Sequence, residues 1–249
     1  MKYQKTLLVL ALIASTVTTS TAQASLFDRG GGLLYDNVLN VTWLQDANYA
    51  HTSGYALADS TGRMDWATAT NWAANLNFDG LTGWRLATNT PVSGGTSFDL
   101  YFSYNGSTDF SYNITSPHSE LAYMYNVNLG LTNAASTTGA SQSNFGIFGN
   151  GTTTGQNNVG LVNNLQGTGY WSGAELSPGS GTAWYFNTSF GSQGHVFPKG
   201  FQFYAWAVRP GDVAAIPVPS AVWLFGTGII GLLGLGRLGN IGSLGQSNA

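Results

Sequence analysis

The sequence predicts an α+β domain framed by targeting segments at both ends. Three observations predict it: two stretches with apolar residues at helical spacing, several short β-favouring runs bounded by Gly, Asn and Asp, and a charge-free apolar segment near each terminus. A chain of 249 residues holds one ordinary domain with targeting segments, or two small domains at most. The expected partition is a signal peptide over 1–24, an exported domain over 25–212, a sorting segment with a transmembrane helix over 213–237, and a neutral tail over 238–249.

At the N-terminus, Lys2 and Lys5 precede an apolar run from Leu7 to Ala14 and a Ser/Thr stretch that ends in Ala22-Gln23-Ala24. A basic region, a short apolar region and an A-x-A site in that order predict signal cleavage between Ala24 and Ser25. The apolar run is well short of the ~20 residues that a membrane span requires.

Inside the exported region, Leu33-Leu34-Tyr35 and Val41-Thr42-Trp43-Leu44 flank an Asp/Asn-containing turn, the pattern of a β-hairpin. Asp65 can cap a helix in which Trp66, Ala69, Ala73 and Leu76 recur at helical spacing, ending near Asn77. Gly83-Trp84-Arg85-Leu86 closes a short apolar strand; its embedded cation suits a paired or stacked structural role. A second helix is expected after Ser116 and Pro117, with Leu121, Met124, Tyr125 and Leu129 on one face and Gly130 ending it. Residues 132–169 read as loops with short irregular strands. Three strands close the domain: Tyr170-Trp171-Ser172, Ala183-Trp184-Tyr185-Phe186, and residues 201–208, which are apolar on both faces and therefore central.

Residues 213–236 carry no charge, lie between Asp212 and Arg237, and are long enough to span a bilayer; their glycines suit a membrane helix better than a water-soluble one. Ile216-Pro217-Val218-Pro219-Ser220-Ala221, followed by a Gly-rich apolar run and Arg237, resembles a PEP-CTERM sorting signal of the VPxPA variety. The resemblance implies that Pro217 and Pro219 are recognised by an exosortase-type sorting protease, that the helix holds the chain in the inner membrane, and that the product reaches the cell surface or the extracellular space. The family usually ends in a basic cluster, whereas here Arg237 stands alone before a neutral tail.

Taken in order, Trp43-Leu44, Trp66 with Ala69 and Leu76, Gly83-Trp84-Arg85-Leu86, Ser119-Glu120-Leu121, Tyr170-Trp171-Ser172, Ala183-Trp184-Tyr185-Phe186 and Trp206-Ala207-Val208-Arg209 resemble the Lcl-type domain found at the C-terminus of collagen-like adhesins. That resemblance covers nearly the whole exported region. It implies a C-type-lectin-like α+β fold, two helices flanking an irregular antiparallel sheet, and in some members binding to sulfated or other glycans. The family usually has Pro after Trp-Arg-Leu, where this chain has Ala87.

Composition narrows the chemistry. A net charge of −3 suits no polyanion, so nucleic acid is not an expected partner. The chain has no cysteine, which excludes disulfides and thiolate chemistry. His51, His118 and His195 are far apart in sequence, without metal-ligand spacing. The carboxylates Asp36, Asp46, Asp59, Asp65, Asp79, Asp99, Asp109, Glu120 and Glu175 mostly stand in turn-like or capping settings. No catalytic, metal-binding or cofactor-binding residue is assigned, and ligand-binding residues are not identified. Eight tryptophans with abundant Asn, Ser and Thr suit sugar binding, although Trp43, Trp84, Trp171, Trp184 and Trp206 are better placed in the core. The expectation is an exported, non-enzymatic protein that binds extracellular polysaccharide or another envelope component. A secreted hydrolase and a structural matrix protein without a discrete ligand are the alternatives.

Overall fold

In a computed structural model, residues 26–213 are described. Strands β1 (Leu26–Gly30), β2 (Leu33–Asp36) and β3 (Val41–Leu44) form an antiparallel meander whose second turn is the expected hairpin. Asp36 shapes that turn. Its buried carboxylate accepts from the backbone N–H groups of Val38 and Leu39, at 2.9 Å each. Asn40 closes the turn at φ 51°, a left-handed conformation that Asn tolerates. After the single turn α1 (Tyr49–Thr52) comes α2 (Trp66–Ala74), the helix expected to open at Asp65. The Asp65 side chain accepts from the Thr68 N–H at 2.7 Å, and Ala69, Trp72 and Ala73 face the core.

Next come β4 (Arg85–Leu86), β5 (Phe102–Ser103), β6 (Phe110–Tyr112) and α3 (Glu120–Tyr123), which continues into a π-helical turn at Met124–Asn128. The expected second helix therefore starts later than Ser116. Ser119 takes the N-cap position, but its side chain points to Gln193 Oε1 and makes no cap bond, while Ser116 lies outside the helix, its hydroxyl donating to the Val92 carbonyl and accepting the His118 N–H at 3.3 Å each. Leu121, Met124 and Tyr125 are buried as expected, and Gly130 at φ 59° follows the last turn. The region 132–169 yields one hairpin, β7 (Gln156–Val159) with β8 (Val162–Gln166). Strands β9 (Gly169–Glu175), β10 (Ala183–Asn187), β11 (Ser192–Gly194) and β12 (Ala207–Pro210) complete the chain.

Two five-stranded sheets result, ordered β1-β2-β3-β12-β4 and β5-β6-β11-β10-β9. The last apolar run is central to the first sheet, as its two apolar faces predict. It joins the ladder only from Ala207; Phe203 and Tyr204 make single bridges to Met64 and Tyr170 and so tie the first sheet to β9. All five tryptophans assigned to the core are buried, none more than 3% exposed. Three of their indole N–H groups have backbone acceptors: Trp84 on Leu81 at 2.9 Å, Trp171 on Met64 at 2.9 Å and Trp206 on Leu44 at 2.7 Å.

The short motifs meet at the seam between the sheets. Arg85 forks onto Glu120 with two bonds of 2.7 Å, and Glu120 also accepts the Thr88 N–H at 2.8 Å. The Ser172 hydroxyl donates to Asn89 Oδ1 at 2.6 Å, and Asn89 bridges to Ser119. Arg85 is thus a paired structural cation. Ala87 stands where proline was expected, and its N–H donates to the Trp206 carbonyl at 3.3 Å, a bond proline could not make.

These elements correct the expected fold class. The α+β, C-type-lectin-like domain with two flanking helices is replaced by a mostly β architecture, in which the longest α-helix among the described residues has nine residues. The apolar periodicity at 116–129 yields a helical segment over Glu120–Asn128 that is α only in its first turn and π thereafter, with residues 119–125 buried and Ser119 and Glu120 bonded to Gln193 on β11 and Arg85 on β4. The expected C-terminal transmembrane helix is also not supported: no helix among the described residues is long and apolar enough to cross a membrane, and residues 214–237 lie outside them. Val213, taken as the first residue of that segment, is instead 8% exposed and packs in the core cluster. Just before it, Asp212 pairs with Arg29 at 2.6 Å, joining the two ends of the domain.

Candidate functional site

The tripeptide Phe-Ser-Tyr occurs twice, at 102–104 and 110–112. The fold lays the two copies side by side. β5 and β6 pair in parallel with Phe102 opposite Phe110 and Ser103 opposite Ser111. A parallel pair normally needs a crossover of a dozen or more residues, but each strand gives only two residues to this ladder, so the loop 104–109 is long enough. Alternation along a strand sends the two serines inward and the aromatic rings outward. The serine hydroxyls lie 2.7 Å apart, and Thr108 donates to Ser103 Oγ at 2.9 Å. Asn113 fixes the turn by donating from its amide to the carbonyls of Tyr104 at 2.7 Å and Ala135 at 2.9 Å.

The outward rings form a platform. Tyr104 and Tyr112 are nearly parallel, 10° apart with centroids at 6.1 Å, and Phe102 stands edge-on to Tyr104, Phe110 and Tyr112. Phe102 and Tyr104 remain 45% and 42% exposed, so these rings are not core. Facing them is the loop 134–145 with Phe190 and Ser192, and together they enclose a groove of about 560 Å³. A second stacked pair, Phe145 and Phe190, lines the groove as well. Gly139 brings the loop close: it sits at φ 84°, and a Cβ there would lie 3.0 Å from the Tyr104 ring. Gln142 is held by its amide, which donates to the Asn133 carbonyl at 2.9 Å.

No charged side chain lines the groove. Burial, and then the neighbouring Tyr104, pushes the Tyr112 phenol above its ordinary value of 10.0 against a hydrogen bond with Ser192, so it stays neutral at physiological pH. The polar groups presented are therefore hydroxyls and an amide, which suit the neutral hydroxyls of a sugar. A second depression of about 440 Å³ lies between α1 and α2, but its Trp72 is buried at 4% and it presents no comparable parallel pair.

Behind the platform, His195 is packed edge-on between Phe110 at 5.3 Å and Trp184 at 5.0 Å, with its Nε2 buried and without a hydrogen-bond partner. Burial lowers its pKa below the ordinary 6.5. The folded state therefore favours neutral His195; this stability is present above pH 6.5 and is lost as pH falls from there through the folded-state value. We expect the melting temperature of the wild type to fall more steeply between pH 7 and pH 5 than that of His195→Gln. Parallel curves for the two proteins would remove His195 as the cause.

The other residues considered for chemistry are dispersed. His51 and His118 are exposed, and His118 Nδ1 lies 3.1 Å from Thr90 Oγ1. Asp36, Asp65 and Asp109 accept backbone N–H bonds; Asp59, Glu120 and Glu175 pair with Arg63, Arg85 and Lys199. Among the described residues, no three His, Asp or Glu side chains gather in a way that could hold a metal ion. Ala24, Ser25, Pro217, Pro219 and Arg237 lie outside the described residues. Sequence reasoning missed Phe102, Tyr104, Phe110 and Tyr112, although the duplicated Phe-Ser-Tyr was a usable signal.

No family model, no curated protein and no solved structure matches the chain.

Proposed function

We propose that this is an exported, non-enzymatic protein whose β-rich domain binds extracellular polysaccharide through the groove between the Phe-Ser-Tyr platform and the loop 134–145. The observation that carries the reading is the nearly parallel Tyr104–Tyr112 pair, exposed at Tyr104 and half-buried at Tyr112, built by two copies of one tripeptide. Flat rings match the apolar faces of pyranose units, while neighbouring hydroxyl and amide groups match their hydroxyls. The leader ending at Ala24 supports export, and the Pro217–Pro219 motif supports recognition by an exosortase-type sorting protease, with the cell surface or extracellular space as destination. The engagement of most carboxylates in caps, turns and ion pairs supports a binding role over a hydrolytic one.

A glycan array probed with the full-length chain tests the reading. Wild-type protein is expected to bind at least one polysaccharide class, with Tyr104→Ala and Tyr112→Ala each weakening binding by about tenfold. Tyr104→Ala should melt close to wild type, because the Tyr104 side chain is 42% exposed, whereas Tyr112→Ala, at a half-buried ring, should also lose some stability, so Tyr104→Ala carries the test. Binding no stronger than that of the heat-unfolded chain, or undiminished binding by the double variant, overturns the proposal.

A further inference from the structure

Resting on the glycan reading, we infer that the groove is selective for neutral polysaccharides and rejects polymers bearing sulfate or carboxylate groups. Within residues 26–213 there are five cations and eleven carboxylates. Four of the five cations are already committed: Arg29 to Asp212, Arg63 to Asp59, Arg85 to Glu120 and Lys199 to Glu175, at 2.6–2.9 Å. The fifth, Arg209, belongs to β12 in the other sheet, and its Nε is buried. No guanidinium or ammonium group lines the groove, whose walls are Tyr and Phe rings with Ser141, Gln142 and Ser192 between them.

An anionic sugar entering this groove loses hydration and meets no countercharge. It also approaches a domain whose carboxylates outnumber its cations, so the long-range field opposes it. A neutral pyranose meets neither penalty. Its apolar face covers ring carbon, and its hydroxyls exchange water for hydroxyl and amide partners of similar strength. The electrostatics here thus select by exclusion: the groove offers no countercharge to a sulfate or uronate, and the surrounding charge is unfavourable to both.

The test compares polymers of one backbone with and without charge, using the full-length chain immobilised through a terminal tag. Dextran is set against dextran sulfate, and hydroxyethylcellulose against carboxymethylcellulose. We expect at least one neutral polymer to bind and its charged counterpart to bind at least about tenfold more weakly. Affinity for the neutral polymer should change less than about twofold between about 50 and about 500 mM NaCl, since no charge pair is there to screen. Tyr104→Ala should abolish most of that affinity.

Preference for the charged member, with affinity falling as salt rises, overturns neutral selectivity while leaving glycan binding intact. Neutral binding that is untouched by Tyr104→Ala places the interaction outside the groove and overturns the inference too. Binding to neither member of any pair overturns the glycan reading and this selectivity together.

Discussion

Trp171→Ala is expected to destabilise the protein by about 4 kcal/mol, the scale for emptying a fully buried tryptophan site. Trp171 is 0% exposed and lies where the two sheets meet. Its backbone N–H donates to the Tyr204 carbonyl at 2.9 Å, its partner across β10 is Tyr185, and its ring stands edge-on to Phe203 with centroids at 4.9 Å. The indole N–H also donates to the Met64 carbonyl, ahead of α2. Removing the ring leaves a cavity bounded by three separate segments, none of which can close it without breaking backbone bonds. The Met64 carbonyl keeps a partner in the Phe203 N–H at 3.0 Å, so the loss is mainly of packing. For a domain of this size the melting temperature should drop by roughly 10 °C. Leu57→Ala, at a side chain 70% exposed, is the control and should cost under about 0.5 kcal/mol. Chemical denaturation with an unchanged m-value would confirm the native-state origin; a Trp171→Ala loss under about 1 kcal/mol would refute this account of the seam.

Some elements were legible because one local signal settled each of them. Asp65 followed by Trp66, Ala69 and Ala73 marks α2, and the cap is present as anticipated. The apolar runs on either side of residues 36–40 mark the first hairpin, and the aromatic motifs mark the core. Other elements depend on partners distant in the chain. Ser119 holds the N-cap position of α3, but its side chain makes no cap bond and is drawn instead to Gln193, 74 residues away. β5 and β6 are two and three residues long, too short for periodicity to register, and their parallel pairing is set by side-chain bonds among Ser103, Thr108 and Ser111. The groove was overlooked for a related reason. The abundance of tryptophan points to sugar binding through indole rings, whereas Trp43, Trp84, Trp171, Trp184 and Trp206 are buried and the groove is lined by Tyr and Phe at alternate positions.

Asp109→Ala is expected to remove both stability and binding, which distinguishes it from substitutions in the platform itself. Asp109 immediately precedes β6 and is 1% exposed. Its carboxylate accepts the Val92 N–H on one oxygen and the Asp99 N–H on the other, at 2.8 Å each. Its own N–H donates to the Asp99 carbonyl at 3.1 Å, and its carbonyl accepts from the Gln193 amide at 2.9 Å. One residue thus holds the loop before β5, the start of β6 and the middle of β11 in register. Alanine would leave two backbone N–H groups without their charged acceptor, at a cost of about 3 kcal/mol. Asp109→Asn keeps the shape and one acceptor oxygen, so about half that loss is expected. Freed from its anchor, Phe110 would no longer lie opposite Phe102, and the parallel stack of Tyr104 on Tyr112 would separate. Tyr104→Ala should therefore lower polysaccharide affinity at nearly constant stability, whereas Asp109→Ala should lower both. Wild-type affinity in a destabilised Asp109→Ala protein would show that the ladder register does not set the geometry of the groove.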